Sequence, residues 1–202
     1  MFSIPIGIYD IGSDRLNQGL LEAIQRNPIN EAGVDFFKLR HPAIEELSKL
    51  FLQAATEMLN ERFTEFAPTI KNGWANQHPS DQPLAPHAHP HSILAGAYYP
   101  QAPEGCGDLL LQDPNAGSMW ANYTDGPYQY MVYQRIQAKP GRMVLFPGHI
   151  VHSVAPSRVS SPRVSIAVNF GVERKASEDP CPTCRKGVVC RTPTCGRLKV
   201  RA

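Results

Sequence analysis

The spacing of apolar residues changes part-way along the chain. Two early stretches repeat apolar residues at helical intervals. The first starts near Asp14, whose carboxylate is a candidate N-cap, and ends at Pro28. The second starts at Pro42, which suits a first helical turn, and continues through about Phe63. From Ile70 onward, short apolar runs separated by proline and glycine replace the helical pattern, so we predict two helices followed by many short strands.

The second half of the chain carries most of the predicted sheet. An edge strand is expected at residues 2–9, ahead of the helices. Further strands are expected at 70–76, 93–99, 108–112, 118–122, 128–136, 142–146, 150–155 and 163–172. This pattern predicts a mainly β fold, a double-sheet β-barrel or jelly roll, with N-terminal supporting helices at about 14–63. Residues 1–172 are expected to form this domain.

Composition narrows the function classes. The chain of 202 residues is long enough for one well-buried domain, and its 19 prolines and 15 glycines favour short strands. A net charge of +2 is too small to indicate nucleic-acid or membrane binding by the whole chain. No apolar run approaches the roughly 18 residues of a membrane span, and the N-terminus does not resemble a signal peptide. The expected location is therefore cytoplasmic.

Residues 173–202 form a short, basic, cysteine-rich tail. It holds four of the five cysteines, and eight Lys or Arg against three Asp or Glu. In a reducing compartment such a cluster indicates metal binding, and a Cys-x-x-Cys step suits a tetrahedral structural zinc. The alternative is a disordered basic tail with oxidisable thiols. Its positive charge suits an acidic partner or nucleic acid. The candidate zinc ligands are Cys181, Cys184, Cys190 and Cys195.

The last predicted strand has two unlike faces. Because successive side chains on a strand point to opposite sides, Val164 and its alternate neighbours form a wholly apolar face. Arg163 and Ser165 belong to the other face, which is small and polar. An arginine beside a serine inside a barrel suits the binding of a carboxylate. The alternative is a hydrated arginine at the exposed end of a strand.

Histidines concentrate in two places that each adjoin a predicted strand. His87, His89 and His91 fall within five residues, and His149 and His152 follow about sixty positions later. A spacing of two places both members of a pair on one strand face, where they can bind one metal ion. His152 is the better inward-facing candidate of the second pair, because His149 directly follows a Pro-Gly bend. We therefore expect the two segments to meet at a metal.

An ordered set of motifs connects these features. It comprises Trp74-Ala75-Asn76, His87-x-His89-Pro90-x-Ser92-x-Leu94-x-Gly96-x-Tyr98-Tyr99, Gly107-Asp108-Leu109, Asp113-Pro114, Leu145-Phe146-Pro147, His152-x-Val154-x-Pro156 and Arg163-x-Ser165-x-Ala167-x-Asn169-Phe170. In this order, and with eleven residues from His152 to Arg163, the motifs resemble the iron(II)/2-oxoglutarate-dependent oxygenases. The closest resemblance is to a small bacterial and phage group related to the prolyl hydroxylases. It covers about half of the chain.

The resemblance implies a double-stranded β-helix, that is, a jelly roll, with iron(II) near its mouth. It implies that Arg163 holds the distal carboxylate of 2-oxoglutarate, that Ser165 assists, and that Tyr99 reaches the same group. The implied activity is that of a dioxygenase that uses Fe(II), 2-oxoglutarate and O₂. Such an enzyme hydroxylates an unactivated C–H bond and releases succinate and CO₂.

The chain departs from the majority pattern at the metal. Most members of the superfamily bind iron with two histidines and a carboxylate in a His-x-Asp/Glu order, whereas this chain has His87-Ala88-His89. One interpretation is a site of His87, His89 and His152, which is favoured because the resembling group shows this pattern. In another, His89 is the first ligand and His91 replaces the carboxylate. A third leaves that position to water, chloride or a remote acid, namely Asp108 or Asp113.

Two other function classes stay open at this point. One is a non-catalytic jelly-roll module that binds or senses a metal, and the other is a zinc-tailed adaptor for nucleic acid or protein. For the oxygenase, the expected substrate is a small molecule or a peptide. A homodimer is a further expectation.

Overall fold

The computed structural model describes residues 4–27, 35–60, 63–78, 83–115 and 133–175. The predicted strand at 118–122, the start of the one at 128–136 and the tail from residue 176 lie outside these ranges. The elements in chain order are β1 (Gly7–Asp10), α1 (Asp14–Arg26), a short 3-10 helix (Phe36–Lys38), α2 (Pro42–Asn60), β2 (Phe66–His78), β3 (Leu84–His87), β4 (Leu94–Gln101), β5 (Leu109–Gln112), β6 (Tyr133–Ile136), β7 (Arg142–Pro147), β8 (His152–Val154) and β9 (Arg163–Arg174).

Both predicted helices are present, with different ends. Ser13, not Asp14, is the N-cap of α1, and its hydroxyl accepts a hydrogen bond from the backbone N–H of Leu16 at 3.2 Å. Asp14 is the first helical residue, where its negative charge interacts favourably with the helix dipole. α2 ends at Asn60, so the prediction extended it too far. Phe63 continues the helical spacing, but it lies outside the helix and is 47% exposed.

Two antiparallel sheets face each other, as the jelly-roll prediction requires. The larger sheet has the strand order β1-β7-β4-β9-β2, and the smaller has β3-β8-β5-β6. β1 pairs only with β7, so it is the edge strand that the sequence predicts. The fold class inferred from the sequence, mainly β with N-terminal supporting helices, is confirmed for the described part of the chain.

β9 separates two apolar cores, because its alternate residues face opposite sides of the larger sheet. Val164, Ile166, Val168 and Phe170 join the core formed with α1 and α2. A second core, which includes Tyr99 of β4, lies between the two sheets. The other residues of β9 therefore point toward the smaller sheet, where the candidate site lies.

A buried polar pair ties α1 to the larger sheet. The hydroxyl of Tyr98 donates to Oδ1 of Asn17 at 2.7 Å, and both side chains are buried. We expect Tyr98→Phe to lower the free energy of unfolding by about 1–3 kcal/mol, because the Asn17 oxygen loses its partner inside the protein. Urea titration measures the change. Tyr133→Phe at an exposed position is the control, and equal midpoints for the two variants would contradict the prediction.

Candidate metal centre

A cavity of about 140 Å³ opens between the two sheets. Alternate residues of β2 and β9 line one wall of it, and the strand register pairs them directly across the ladder. The pairs are Trp74 with Ala167, Asn76 with Ser165 and His78 with Arg163. Tyr99 of β4 and the three histidines described next also line the cavity. The polar face predicted for β9 is therefore the wall of a pocket.

Three histidines converge at this cavity. His87 on β3 and His152 on β8 are opposite each other in the strand register, and their ring centroids lie 4.3 Å apart. His89 completes the group, with ring centroids 5.2 Å from His87 and 5.0 Å from His152. One nitrogen from each ring lies within 4.8 Å of the others, a spacing that could hold a metal ion.

His89 does not reach the cluster from the same strand face as His87, although the spacing of two residues predicts that it does. β3 ends at His87, so the two residues do not share a strand face. The backbone N–H of His89 instead donates to the carbonyl of Gly148 at 2.9 Å, which fixes the segment beyond the strand. The imidazole lies beside Trp74, with ring centroids 5.7 Å apart. The expectation of a shared strand face is therefore wrong, although the two rings do meet.

Backbone carbonyls determine which ring nitrogen of His87 and of His152 is available to a metal. Nδ1 of His87 lies 2.9 Å from the carbonyl of Ala85, and Nδ1 of His152 lies 3.0 Å from the carbonyl of Ile150. A carbonyl oxygen only accepts, so each Nδ1 must carry the proton and donate it. Nε2 of both rings then keeps its lone pair for a metal, which is the usual arrangement of metal-binding histidines.

Burial keeps two of these rings uncharged. Burial, together with the smaller effects of the neighbouring His87 and His89, lowers the pKa of His152 to about 4, although the hydrogen bond to the Ile150 carbonyl opposes this change. Burial, followed by the charge of His87, also lowers the pKa of His89. Both rings are therefore neutral at pH 7, the form that can bind a metal.

Within the described ranges, no carboxylate joins the three histidines. Asp108 instead pairs with Arg135 at 3.3 Å and accepts from the backbone N–H of Ala138 at 3.4 Å. Asp113 accepts from the N–H of Asn115 at 2.8 Å, in the local turn expected before a proline. Neither remote acid named by the sequence is placed to complete the cluster.

Arg163 is buried, which excludes the interpretation of a hydrated arginine at a strand end. The side chain is 3% exposed, and one terminal nitrogen, Nη1, donates to the carbonyl of Gly107 at 2.8 Å. Nε is buried without a hydrogen-bond partner in the described structure. The guanidinium carbon lies 5.8 Å from the centroid of the Tyr99 ring. Burial lowers the pKa of Arg163, although the group stays charged at pH 7.

A bound anion in the cavity would neutralise the buried charge of Arg163. No carboxylate of the described residues lies within ion-pair distance of Arg163, although the more distant Asp108 carboxylate, which pairs with Arg135, opposes the lowering of its pKa. The buried charge of Arg163 therefore has no counterion in direct contact. Ser165, which is also buried, adds a hydroxyl to the same wall. The donor set therefore suits a negatively charged ligand that enters from the cavity.

Comparison with solved structures shows the same fold elsewhere. A Pseudomonas putida prolyl-4-hydroxylase is 14% identical, with a TM-score of 0.59 over 86% of this chain and 94% of that one. HygX from Streptomyces hygroscopicus, solved with nickel and 2-oxoglutarate bound, is 8% identical, with a TM-score of 0.61 over 83% of each chain. A 2OG-Fe(II) oxygenase family protein from Burkholderia pseudomallei is 14% identical, with a TM-score of 0.58 over 82% of this chain and 84% of that one. At these identities the likeness concerns the fold.

The sequence itself matches a family model described as "Putative 2OG-Fe(II) oxygenase" over residues 72–169. This region contains the three clustered histidines and Arg163. The chain belongs to the 2OG-Fe(II) oxygenase superfamily. No curated protein matches it significantly.

His91, the alternative ligand for this oxygenase, lies apart from the cluster. Its side chain is exposed, and its carbonyl accepts a hydrogen bond from Nζ of Lys71 at 2.9 Å. Its backbone φ of 66° lies in the left-handed region, which asparagine tolerates better than most residues. We expect His91→Asn to leave iron(II) affinity within about twofold of the wild type, because the ring is absent from the metal-binding cluster. Competition with a chelator measures this affinity, and a tenfold loss would contradict the prediction.

The sequence did not identify His78 as part of the cavity wall. The predicted strand stopped at residue 76, whereas β2 continues to His78 and brings it opposite Arg163. Trp74 and Asn76 appeared in the motif without a role, and both line the cavity. Extending the period-two alternation of β2 by one step would have included His78.

Two sequence predictions concern features other than this site. The four tail cysteines lie outside the described residues, so the zinc site stays a prediction. Across the described ranges, no helix is long and apolar enough to span a membrane.

Proposed function

We propose that this protein is an iron(II)- and 2-oxoglutarate-dependent dioxygenase that hydroxylates an unactivated C–H bond of a small-molecule or peptide substrate. The observation that carries the proposal is the placement of three convergent imidazoles and a buried arginine without a counterion around one cavity. The imidazoles suit iron(II), and the arginine suits a carboxylate of 2-oxoglutarate. Family membership supports the assignment of those components.

His87, His89 and His152 would hold the iron. Imidazole suits iron(II), and the Nδ1 hydrogen bonds of His87 and His152 leave their Nε2 atoms available for coordination. When bound, iron(II) with 2-oxoglutarate and O₂ supplies the oxidation, which inserts one oxygen atom into C–H and one into succinate and releases CO₂. Three neutral ligands make this centre more positive by one charge than a centre with two histidines and a carboxylate.

Arg163 would orient 2-oxoglutarate by binding its distal carboxylate. Its Nε–H has no partner, so a carboxylate oxygen can accept from it without displacing an existing hydrogen bond. Ser165 and Tyr99 add hydroxyl donors on the same cavity surface. Burial raises the pKa of Tyr99 to about 12, so its hydroxyl keeps its proton at pH 7 and can donate.

The proposal is tested by following both products of the co-substrate. Protein loaded with iron(II) should form succinate and CO₂ in equal amounts from 2-oxoglutarate and O₂ in the presence of ascorbate. Ascorbate supplies the two electrons that reduce the second oxygen atom to water when the C–H substrate is absent. A chelator that removes the iron should abolish the reaction. Binding of 2-oxoglutarate without succinate formation would favour the non-catalytic metal-binding module instead.

A further inference from the structure

His78 occupies the cavity wall next to Arg163. The two residues are partners in the β2–β9 register, so they stand directly opposite on neighbouring strands and line the same pocket. On one face of an antiparallel pair, opposite Cβ atoms lie about 4.5–5.5 Å apart. A carboxylate held by Arg163 on its β2 side therefore comes within reach of the His78 ring.

The ring of His78 is neutral at pH 7 and can still donate one hydrogen bond. Its side chain is half-buried, and burial followed by the positive charge of Arg163 lowers its pKa to about 4. At pH 7 the ring is uncharged, and it then presents one N–H donor and one acceptor nitrogen.

Several groups around this part of the cavity can donate hydrogen bonds. Arg163 offers its unpartnered Nε–H, Ser165 and Tyr99 offer hydroxyls, and no carboxylate of the described residues lines the cavity. A bound carboxylate has about four lone-pair positions, so it can accept from Arg163 and from further donors on the neighbouring strands at the same time. An N–H of His78, which lies opposite Arg163 and lines the same cavity, can therefore be one of these further donors.

We propose that His78 binds the co-substrate, by donating a ring N–H to the distal carboxylate of 2-oxoglutarate beside Arg163. This inference rests on the proposed function. It predicts selectivity among 2-oxo acids, because a 2-oxo acid without a distal carboxylate has nothing for His78 to bind. His78 should therefore affect the affinity for 2-oxoglutarate and leave that for 2-oxobutyrate unchanged.

The test uses the iron(II)-loaded full chain under anaerobic conditions. Each 2-oxo acid is titrated while the visible metal-to-ligand absorption band is recorded, for the wild type, His78→Phe, His78→Leu and His78→Gln. Gln77→Ala is the matched control, since Gln77 is the preceding residue of β2 and its side chain is exposed. Thermal unfolding of each variant confirms that it is folded.

We expect His78→Phe and His78→Leu to bind 2-oxoglutarate about 10- to 100-fold more weakly, the effect of losing a hydrogen bond to a charged group. His78→Gln, whose amide can donate, should recover most of the affinity. Unchanged 2-oxoglutarate affinity in His78→Phe or His78→Leu would overturn the role of His78 while leaving the proposed function intact. Equal losses for both 2-oxo acids would also overturn it, because they indicate a general effect on the site. A wild type that binds no 2-oxoglutarate would overturn the proposed function and this role together.

Discussion

Replacing Arg163 with methionine should remove most of the affinity for 2-oxoglutarate. Truncating one member of a buried, hydrogen-bonded charge pair costs about 2–5 kcal/mol, which corresponds to a loss of roughly 30-fold or more. Methionine has a similar length and no charge, so the cavity wall stays filled while the donor is removed. Anaerobic titration of the iron(II)-loaded variant with 2-oxoglutarate measures the effect.

The stability of Arg163→Met distinguishes a binding role from a structural one. The arginine is buried without a counterion, and its desolvation opposes folding. We therefore expect its removal to change the free energy of unfolding by no more than about 1 kcal/mol, since the variant lacks mainly the hydrogen bond to the Gly107 carbonyl. Arg135→Met, which removes an exposed arginine paired with Asp108, is the control. Wild-type affinity for 2-oxoglutarate in Arg163→Met would contradict the proposed binding site.

Replacing His152 with alanine should abolish stable iron(II) binding. His152 is the most buried of the three clustered histidines, and it stands opposite His87 in the strand register. Changing a partner outside the coordination shell typically costs 10- to 100-fold in metal affinity, so loss of a direct ligand should exceed about 100-fold. Equilibration with a chelator of known affinity, followed by metal analysis, measures the change.

The control for His152→Ala is His149→Ala. His149 lies three residues earlier in the chain, but its side chain is exposed and it is not part of the cluster. Its removal should leave iron(II) affinity unchanged. If His152→Ala bound iron as tightly as His149→Ala, the assignment of His152 as a ligand would be wrong.

Local patterns predicted most of the fold. The helical spacing of α1 and α2 reflects burial on one face of each helix. The alternation along β9 reflects two unlike faces, an apolar one in the core with the helices and a polar one along the cavity. The same alternation placed Arg163 and Ser165 on the polar face, and both line the cavity. The resemblance then identified the superfamily before any pairing of strands was known.

The parts that the sequence did not predict depend on tertiary contacts. His89 joins the cluster through a backbone hydrogen bond to Gly148, some sixty residues away in the chain, and not through a strand face. The burial of Arg163 depends on packing against the Gly107 segment and Tyr99, which no local pattern encodes. His78 was missed because strand ends are the least certain part of any assignment from sequence.

The most direct test of the central proposal is anaerobic titration of the wild-type, iron(II)-loaded protein with 2-oxoglutarate. We predict a visible metal-to-ligand absorption band that saturates at one equivalent of 2-oxoglutarate per protein chain. Folded, iron-loaded protein that develops no band at saturating 2-oxoglutarate would contradict the assignment of this cavity as an iron and 2-oxoglutarate site.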